Sequence, residues 1–363
     1  MRPMIAINGR YLLRARPTGV QRAASALTDA LVAAFPQTFR RIDPPRAGRV
    51  GAQLWEQGAL CSAVRRAGCR WLVNPMQTGP LLHQGVRQIL VVHDLHFLHH
   101  PEWFGPAFRA WNRLATVAAL RRADHVVAVS DYVLADVRRT CGVAVERSSR
   151  IYNVGPACRP LPMHARVPGA ILCVNPFQPH KNLARLLEAF RLLQARVPHA
   201  ELRLVGRLQE NFAAVPGLRD LASTPGVRVL GYLPDEALAD EYRRCTVVCY
   251  PSLAEGFGLP ALEAAAHGAL LVTSTAGALP EVAGAGALYV DPHSVESIES
   301  GLLTALSMPA EQRNRIVATA RSNLHRFSAQ AVTGAFSRLC SHLLAQDEKS
   351  DRKLVGAWKE AWE

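Results

Sequence analysis

The sequence predicts an α/β protein with two doubly wound parallel sheets, and three observations point there. Short apolar runs alternate with segments of helical period, most of the runs end on a polar residue, and 363 residues exceed what one α/β core usually fills. Strands covered on both faces read as continuous apolar runs, and open sheets of this kind hold ligands beyond their carboxyl ends.

In chain order, MIAI runs to Asn8, WLV to Asn74, ILVV to His93 and Asp94, and VVAV to Ser130. The second half repeats the habit with ILCV before Asn175, LRLV before Gly206, VVCY before Pro251 and Ser252, and LLVT before Ser274. Between them, residues 20–35 set Val20, Ala24, Leu27, Leu31 and Phe35 on one helical face, and Thr18 with Gln21 has the spacing of a capping box at its start. Residues 182–196 do the same with Leu183, Leu186, Leu187, Phe190 and Leu193, and Pro198 marks the stop. The aperiodic, proline- and glycine-rich segment 155–169 reads as a boundary. This gives domains over 1–160 and 161–335, followed by a closing helix or tail over 336–363.

The net charge of +13 is uneven. Residues 1–168 hold 23 arginines and 9 acidic residues, a net +14, while the remainder carries −1. Either a solvated basic surface or an anionic partner of the first half (a membrane surface, a lipid-linked diphosphate or nucleic acid) accounts for this. No segment reaches the roughly 20 apolar residues of a membrane-spanning helix. MRPMIAINGRYLL turns polar too early for a signal peptide and reads as a first strand, which points to the cytoplasm. The eight cysteines include no CxxC pair, so buried free thiols are expected.

The strongest local signal is PSLAEGFGLPALEAAAHG, residues 251–268. A strand ends at Tyr250, a glycine-rich turn follows, and Pro260 opens a helix. Backbone amides of Gly256, Phe257, Gly258 and Leu259 then face one concavity at a helix N-terminus, a place for a diphosphate and sugar hydroxyls. Glu255 precedes the turn and Glu263 is expected in the first helical turn. Lys181 is the only lysine outside the terminal segment, against 38 arginines in the chain, which suggests that a point charge is required at its strand-to-helix connection. No Asp-x-Asp motif is present, and His93, His96, His99 and His100 match no familiar zinc spacing, so no metal or other cofactor is expected.

Two glutamates separated by seven residues around GFGLP resemble glycosyltransferase family 4, and the resemblance covers roughly residues 4–335. It implies the GT-B fold, two Rossmann-like domains facing a central cleft, and a retaining, metal-independent transfer of a hexose from a nucleotide-diphosphate sugar. By this resemblance Glu255, Lys181 and His93 are catalytic. Gly19 in Pro17-Thr18-Gly19-Val20 lies beneath the donor diphosphate. Asn175, Gly206, Arg207, Gly256, Phe257, Gly258 and Leu259 also bind the donor, Leu233 reads the nucleobase and Glu263 the ribose. Asp94 and Ser130 face the acceptor. Family members often place an arginine shortly before the lysine; here CVNPFQPH has none, and Arg207, Arg10 or His180 are candidates to supply the second positive charge. The opening segment and the HDL motif look most like the mannosyl- and rhamnosyltransferase branch of O-antigen and exopolysaccharide synthesis. That branch implies GDP-mannose as donor, a saccharide or lipid-linked acceptor, an anionic membrane surface against the N-terminal half, and no nucleic acid. Another enzyme on this fold, such as a nucleotide-sugar epimerase or a phosphorylase, and a non-catalytic nucleotide-sugar-binding subunit stay open as alternatives.

Overall fold

The computed structural model describes residues 4–13, 18–45, 48–82, 85–158, 166–207, 221 and 224–360. Among them twelve strands form two six-stranded sheets in which every pairing is parallel. The first comprises β1 (Met4–Asn8), β2 (Phe39–Ile42), β3 (Cys69–Asn74), β4 (Arg87–Val92), β5 (His125–Ala128) and β6 (Ser148–Arg150), in the order β2-β1-β3-β4-β5-β6. Its helices are α1 (Gly19–Ala34), α2 (Arg49–Gly58), α3 (Leu60–Arg66), α4 (His96–His99), α5 (Pro106–Arg122) and α6 (Asp131–Cys141). The second comprises β7 (Ala170–Val174), β8 (Glu201–Val205), β9 (Val227–Gly231), β10 (Val247–Tyr250), β11 (Leu270–Ser274) and β12 (Ala287–Val290), in the order β12-β11-β10-β7-β8-β9. Helices α7 (Leu183–Arg196), α8 (Asp235–Arg244), α9 (Leu259–Ala266), α10 (Leu279–Ala283), α11 (Val295–Ser307), α12 (Ala310–Asn323) and α13 (Ala329–Glu360) follow.

The apolar runs are continuous because both faces of each sheet are covered. Ile5, Ile7, Trp71 and Val73 pack with Leu27 and Leu31 of α1 and Leu120 of α5, whereas Ala6 and Leu72 pack with Leu60, Cys61 and Val64 of α3. In the second sheet Ile171, Cys173, Leu202 and Leu204 meet α7 and α11, while Ala170, Leu172, Val174 and Tyr250 meet Tyr242 of α8 and Ala261 and Ala264 of α9. The capping box of α1 is formed: the Thr18 amide donates to Gln21 Oε1 at 2.9 Å and the Gln21 amide to Thr18 Oγ1 at 3.4 Å. Pro17 of the same loop lies outside the described residues, as do residues 159–165 of the boundary segment.

The closing segment is helical rather than loose, and it starts at Ala329. Helix α13 returns to the first sheet, where Phe336 meets Phe39 with ring centroids 6.4 Å apart. Buried Asp347 accepts from Trp71 Nε1 at 2.9 Å and pairs with Arg87 at 2.5 Å. Six of the free cysteines are buried; Cys141 is half-buried and Cys158, in the crossover, is exposed, against the expectation of uniform burial. Among the described residues no helix is long and apolar enough to cross a membrane.

Asp347→Ala leaves the Trp71 N–H without its acceptor inside the core, a loss of about 1–3 kcal/mol. Urea unfolding followed by tryptophan fluorescence should show the midpoint falling accordingly, and an unchanged midpoint would contradict the docking of α13.

Candidate active site

The second sheet runs outward from β7 through β8 to β9 and then returns to β10 on the other side of β7. That reversal opens a crevice between the carboxyl ends of β7 and β10, where open α/β sheets bind ligands. The chain leaving β7 enters a short 3-10 turn, Pro179–Lys181, and the chain leaving β10 carries Glu255. The two meet: Lys181 Nζ lies 2.5 Å from Glu255 Oε1 and 2.5 Å from the Tyr250 hydroxyl, 4.6 Å from the centroid of the Tyr250 ring. All three side chains are buried. Burial, and next the Glu255 carboxylate, push the Tyr250 hydroxyl well above the usual phenol range, so it stays protonated.

The glycine-rich turn sits against the end of β4. A side chain on Gly256 would collide with the His93 carbonyl and come within 3.0 Å of Asp94 Cβ, so only glycine permits this approach. Gly258, at φ +98°, turns the chain into α9, with Pro260 among its first residues. The Phe257 ring points away from the crevice, packing between Tyr152 and Phe327 with centroids 6.1 and 5.7 Å away, which leaves its backbone for a ligand. Glu263 falls one turn later than the sequence suggested, because α9 begins at Leu259. There its Oε2 accepts from the Tyr242 hydroxyl at 2.6 Å. Arg22 of α1 spans the opening to Asp235 of α8 at 2.7 Å.

Opposite the turn, His93 is buried, and burial lowers its pKa, so the ring is neutral. Its Nε2 donates to the Pro75 carbonyl at 2.9 Å, which makes Nδ1 an acceptor. Asp94 is half-buried beside it, and its carboxylate accepts from the His96 amide at 3.2 Å. Ser130 corrects an expectation. It is fully buried, accepts from the Val133 amide at 3.1 Å as the cap of α6, and donates to the Gly256 carbonyl at 2.7 Å. With both capacities used inside the seam between the two halves, it does not face an acceptor.

The remaining donor-side residues divide. Gly19 is exposed at the first position of α1 with open space where a side chain would stand. Asn175 takes φ +56°, a left-handed conformation that asparagine tolerates better than arginine, so the backbone disfavours an arginine at this one position before the lysine. A side chain on Gly206 would come within 3.0 Å of the Asn175 Cα, and Arg207 follows, exposed. Leu233 is half-buried among the residues under β7 and β10. Two of the three candidate replacements for the missing arginine fail. Arg10 is bound to Glu56 at 2.8 Å and to Gln53 and Thr78, and His180 is buried and held neutral by desolvation, then by Lys181. The four-histidine string disperses: His99 bonds Asp136 at 2.8 Å, and His100 stacks on Trp103 at 3.8 Å. Among the described residues no group of three or more His, Cys, Asp or Glu side chains converges.

Tyr250, Tyr242 and Arg22 were missed from the sequence. Only Tyr250 left a signal there, as the polar-tipped end of an apolar strand facing the crevice. The histidines His93, His125 (its pKa lowered to about 4) and His180 all titrate below the ordinary 6.5 because burial penalises the cation. The unfolded chain therefore takes up protons that the native state refuses, and stability should fall as pH drops from about 6.5 towards 4. Thermal unfolding across that window should show the fall, with a shallower slope in His180→Leu; equal slopes would contradict a neutral buried His180.

Comparison with known proteins agrees with this geometry. Family models described as "Glycosyltransferase Family 4" and "Glycosyl transferases group 1" match residues 36–154 and 167–323. The chain is 30% identical to O-antigen chain mannosyltransferase B of Escherichia coli over 79% of its own length and 81% of the relative's. It is 31% identical to the MMP alpha-(1->4)-mannosyltransferase of Mycolicibacterium hassiacum over 63% of its length, spanning 57% of that protein. In three dimensions it is similar to sucrose-phosphate synthase of Thermosynechococcus elongatus (TM-score 0.73, 19% identity, 95% of this chain and 100% of that one). It is also similar to Anabaena HepE solved with UDP-glucose (TM-score 0.68, 17% identity, 93% and 99%). Two parallel six-stranded sheets, a glycine-rich turn at the switch point and these matches together place the chain in glycosyltransferase family 4, with the GT-B fold.

Proposed function

We propose that the chain is a retaining mannosyltransferase that uses GDP-mannose and a saccharide or lipid-linked polysaccharide precursor. The observation that carries the reaction is the Lys181–Glu255–Tyr250 cluster at the switch point, and the mannosyl assignment rests on the names of the relatives. In this reading the bond between the anomeric carbon and the diphosphate oxygen breaks, and the acceptor oxygen bonds the same face. The acceptor's proton passes to the departing phosphate oxygen. Lys181 and the amides of Gly256 to Leu259, together with those at the N-terminus of α1 near Gly19, meet the charge that develops on the diphosphate. Arg207, the exposed candidate for the second positive charge, belongs with them. Glu255 orients the sugar and Glu263 takes the ribose hydroxyls, its carboxylate aimed by Tyr242. His93, through Nδ1, accepts from a sugar hydroxyl, and Asp94 lies on the acceptor side. These residues supply the charge stabilisation themselves, so the reaction is independent of a divalent ion.

Lys181→Ala and Glu255→Gln should each lower transfer from GDP-mannose by roughly 10²-fold or more in EDTA-containing buffer. Glu263→Ala should mainly raise the donor KM. The product's anomeric configuration should match the donor's. Near-normal turnover in both of the first two variants, inversion, or dependence on manganese would each overturn the part it tests.

We further propose that the enzyme works at the cytoplasmic face of the membrane, resting on α5. That helix exposes Trp111 and Leu114 beside exposed Arg109 and Arg113, in the half of the chain that carries the +14 charge. Each arginine near an anionic leaflet contributes about 1 kcal/mol. Reversible binding to anionic but not neutral vesicles should follow, lost at high salt and weakened in Arg109→Glu/Arg113→Glu/Arg122→Glu with donor binding intact. Equal binding to neutral vesicles would refute it.

A further inference from the structure

Where the chain crosses between the two halves, a cavity of about 310 Å³ opens between the end of β6 and the start of α13. Lys181, Tyr250, Glu255 and Glu263 of the crevice are not among its lining residues. Three guanidinium groups from three separate segments line it: Arg150, Arg326 and Arg338. Arg150 and Arg326 lie 4.0 and 5.1 Å from the centroid of the Tyr152 ring, and Arg326 donates to the Tyr152 hydroxyl at 2.6 Å. Ile151 and Val332 form an apolar wall.

The charges do not balance within the protein. Asp131 meets Arg150 at 3.3 Å, and both are exposed. Arg326 spends its donors on neutral oxygens: the Glu281 carbonyl at 3.2 Å, Asn323 Oδ1 at 3.0 Å and Tyr152. Arg338 is exposed and has no acidic partner among the described residues. Three guanidinium groups converge on one cavity against two carboxylates, Asp131 on Arg150 and Glu281 beside Tyr152, and a phosphate-type anion offsets the remaining positive charge while accepting paired N–H donors.

We infer that this cavity is a second ligand site, which binds a diphosphate or phosphate-ester group whose adjoining apolar part lies along Ile151 and Val332. The site communicates with the glycine-rich turn, because the Tyr152 ring that carries two of the arginines also packs on Phe257. The same chemistry is presented by a soluble diphosphate and by a phospholipid headgroup.

Calorimetric titration of the full chain with inorganic pyrophosphate separates these sources when paired with flotation on phosphatidic acid vesicles. Arg338→Glu and Arg150→Glu stand on exposed surface and should keep the native unfolding temperature. Loss of pyrophosphate affinity by roughly ten-fold or more in both variants supports the site with a soluble ligand. Loss confined to vesicle binding supports it with a headgroup as the ligand. Pyrophosphate and vesicle binding that both match the wild type in these two variants overturn the proposal.

Discussion

The ion pair between Lys181 and Glu255 governs the rest of the crevice. Two charges taken out of water are tolerated only where geometry and further hydrogen bonds offset the desolvation, and removing one partner of such a pair costs about 3–5 kcal/mol. The fold meets that demand from several directions. Strands β7 and β10 are neighbours in register, Ile171 against Val247, so their exits stand side by side. The Leu253 amide donates to the His180 carbonyl at 2.7 Å, which ties the two exits together one residue from the lysine. The Tyr250 hydroxyl supplies the third polar group, and Gly277, at φ +61°, lets the following loop press on the Glu255 backbone.

The same turn that carries the glutamate also joins the two halves. Gly256 rests on the His93 carbonyl, and Ser130 donates to the Gly256 carbonyl. The Glu281 carboxylate of α10 accepts from the Asp131 amide at 2.8 Å and from the Tyr132 amide at 3.3 Å. A side chain of the second half thus caps a helix of the first, where the helix dipole favours negative charge. Residues of both halves are therefore held in fixed relation around the glycine-rich turn.

What the sequence revealed depended on burial. The eight strands legible as apolar runs lie inside their sheets. The four missed, β2, β6, β9 and β12, are the four sheet edges, where FRRI, SSR and VRVLG break the apolar pattern with exposed or half-exposed polar residues. At the site, the glycine turn and the lysine were legible because each is a local string. The contacts of Lys181 with Glu255 and of Tyr242 with Glu263 were not, since they depend on how distant segments dock. His180 shows the reverse case: its position beside Lys181 suggested a cation, and only its burial shows that it is neutral.

Helix α13 has a consequence for the order in which the protein is made. The first sheet's residues emerge from the ribosome early, but Phe39 and Trp71 find their partners Phe336 and Asp347 only after nearly the whole chain has followed. Synthesis at roughly 5–20 residues per second separates those events by tens of seconds. Through that interval the nascent first half presents an apolar face that only the late helix covers, so it is a natural client for chaperones until α13 arrives.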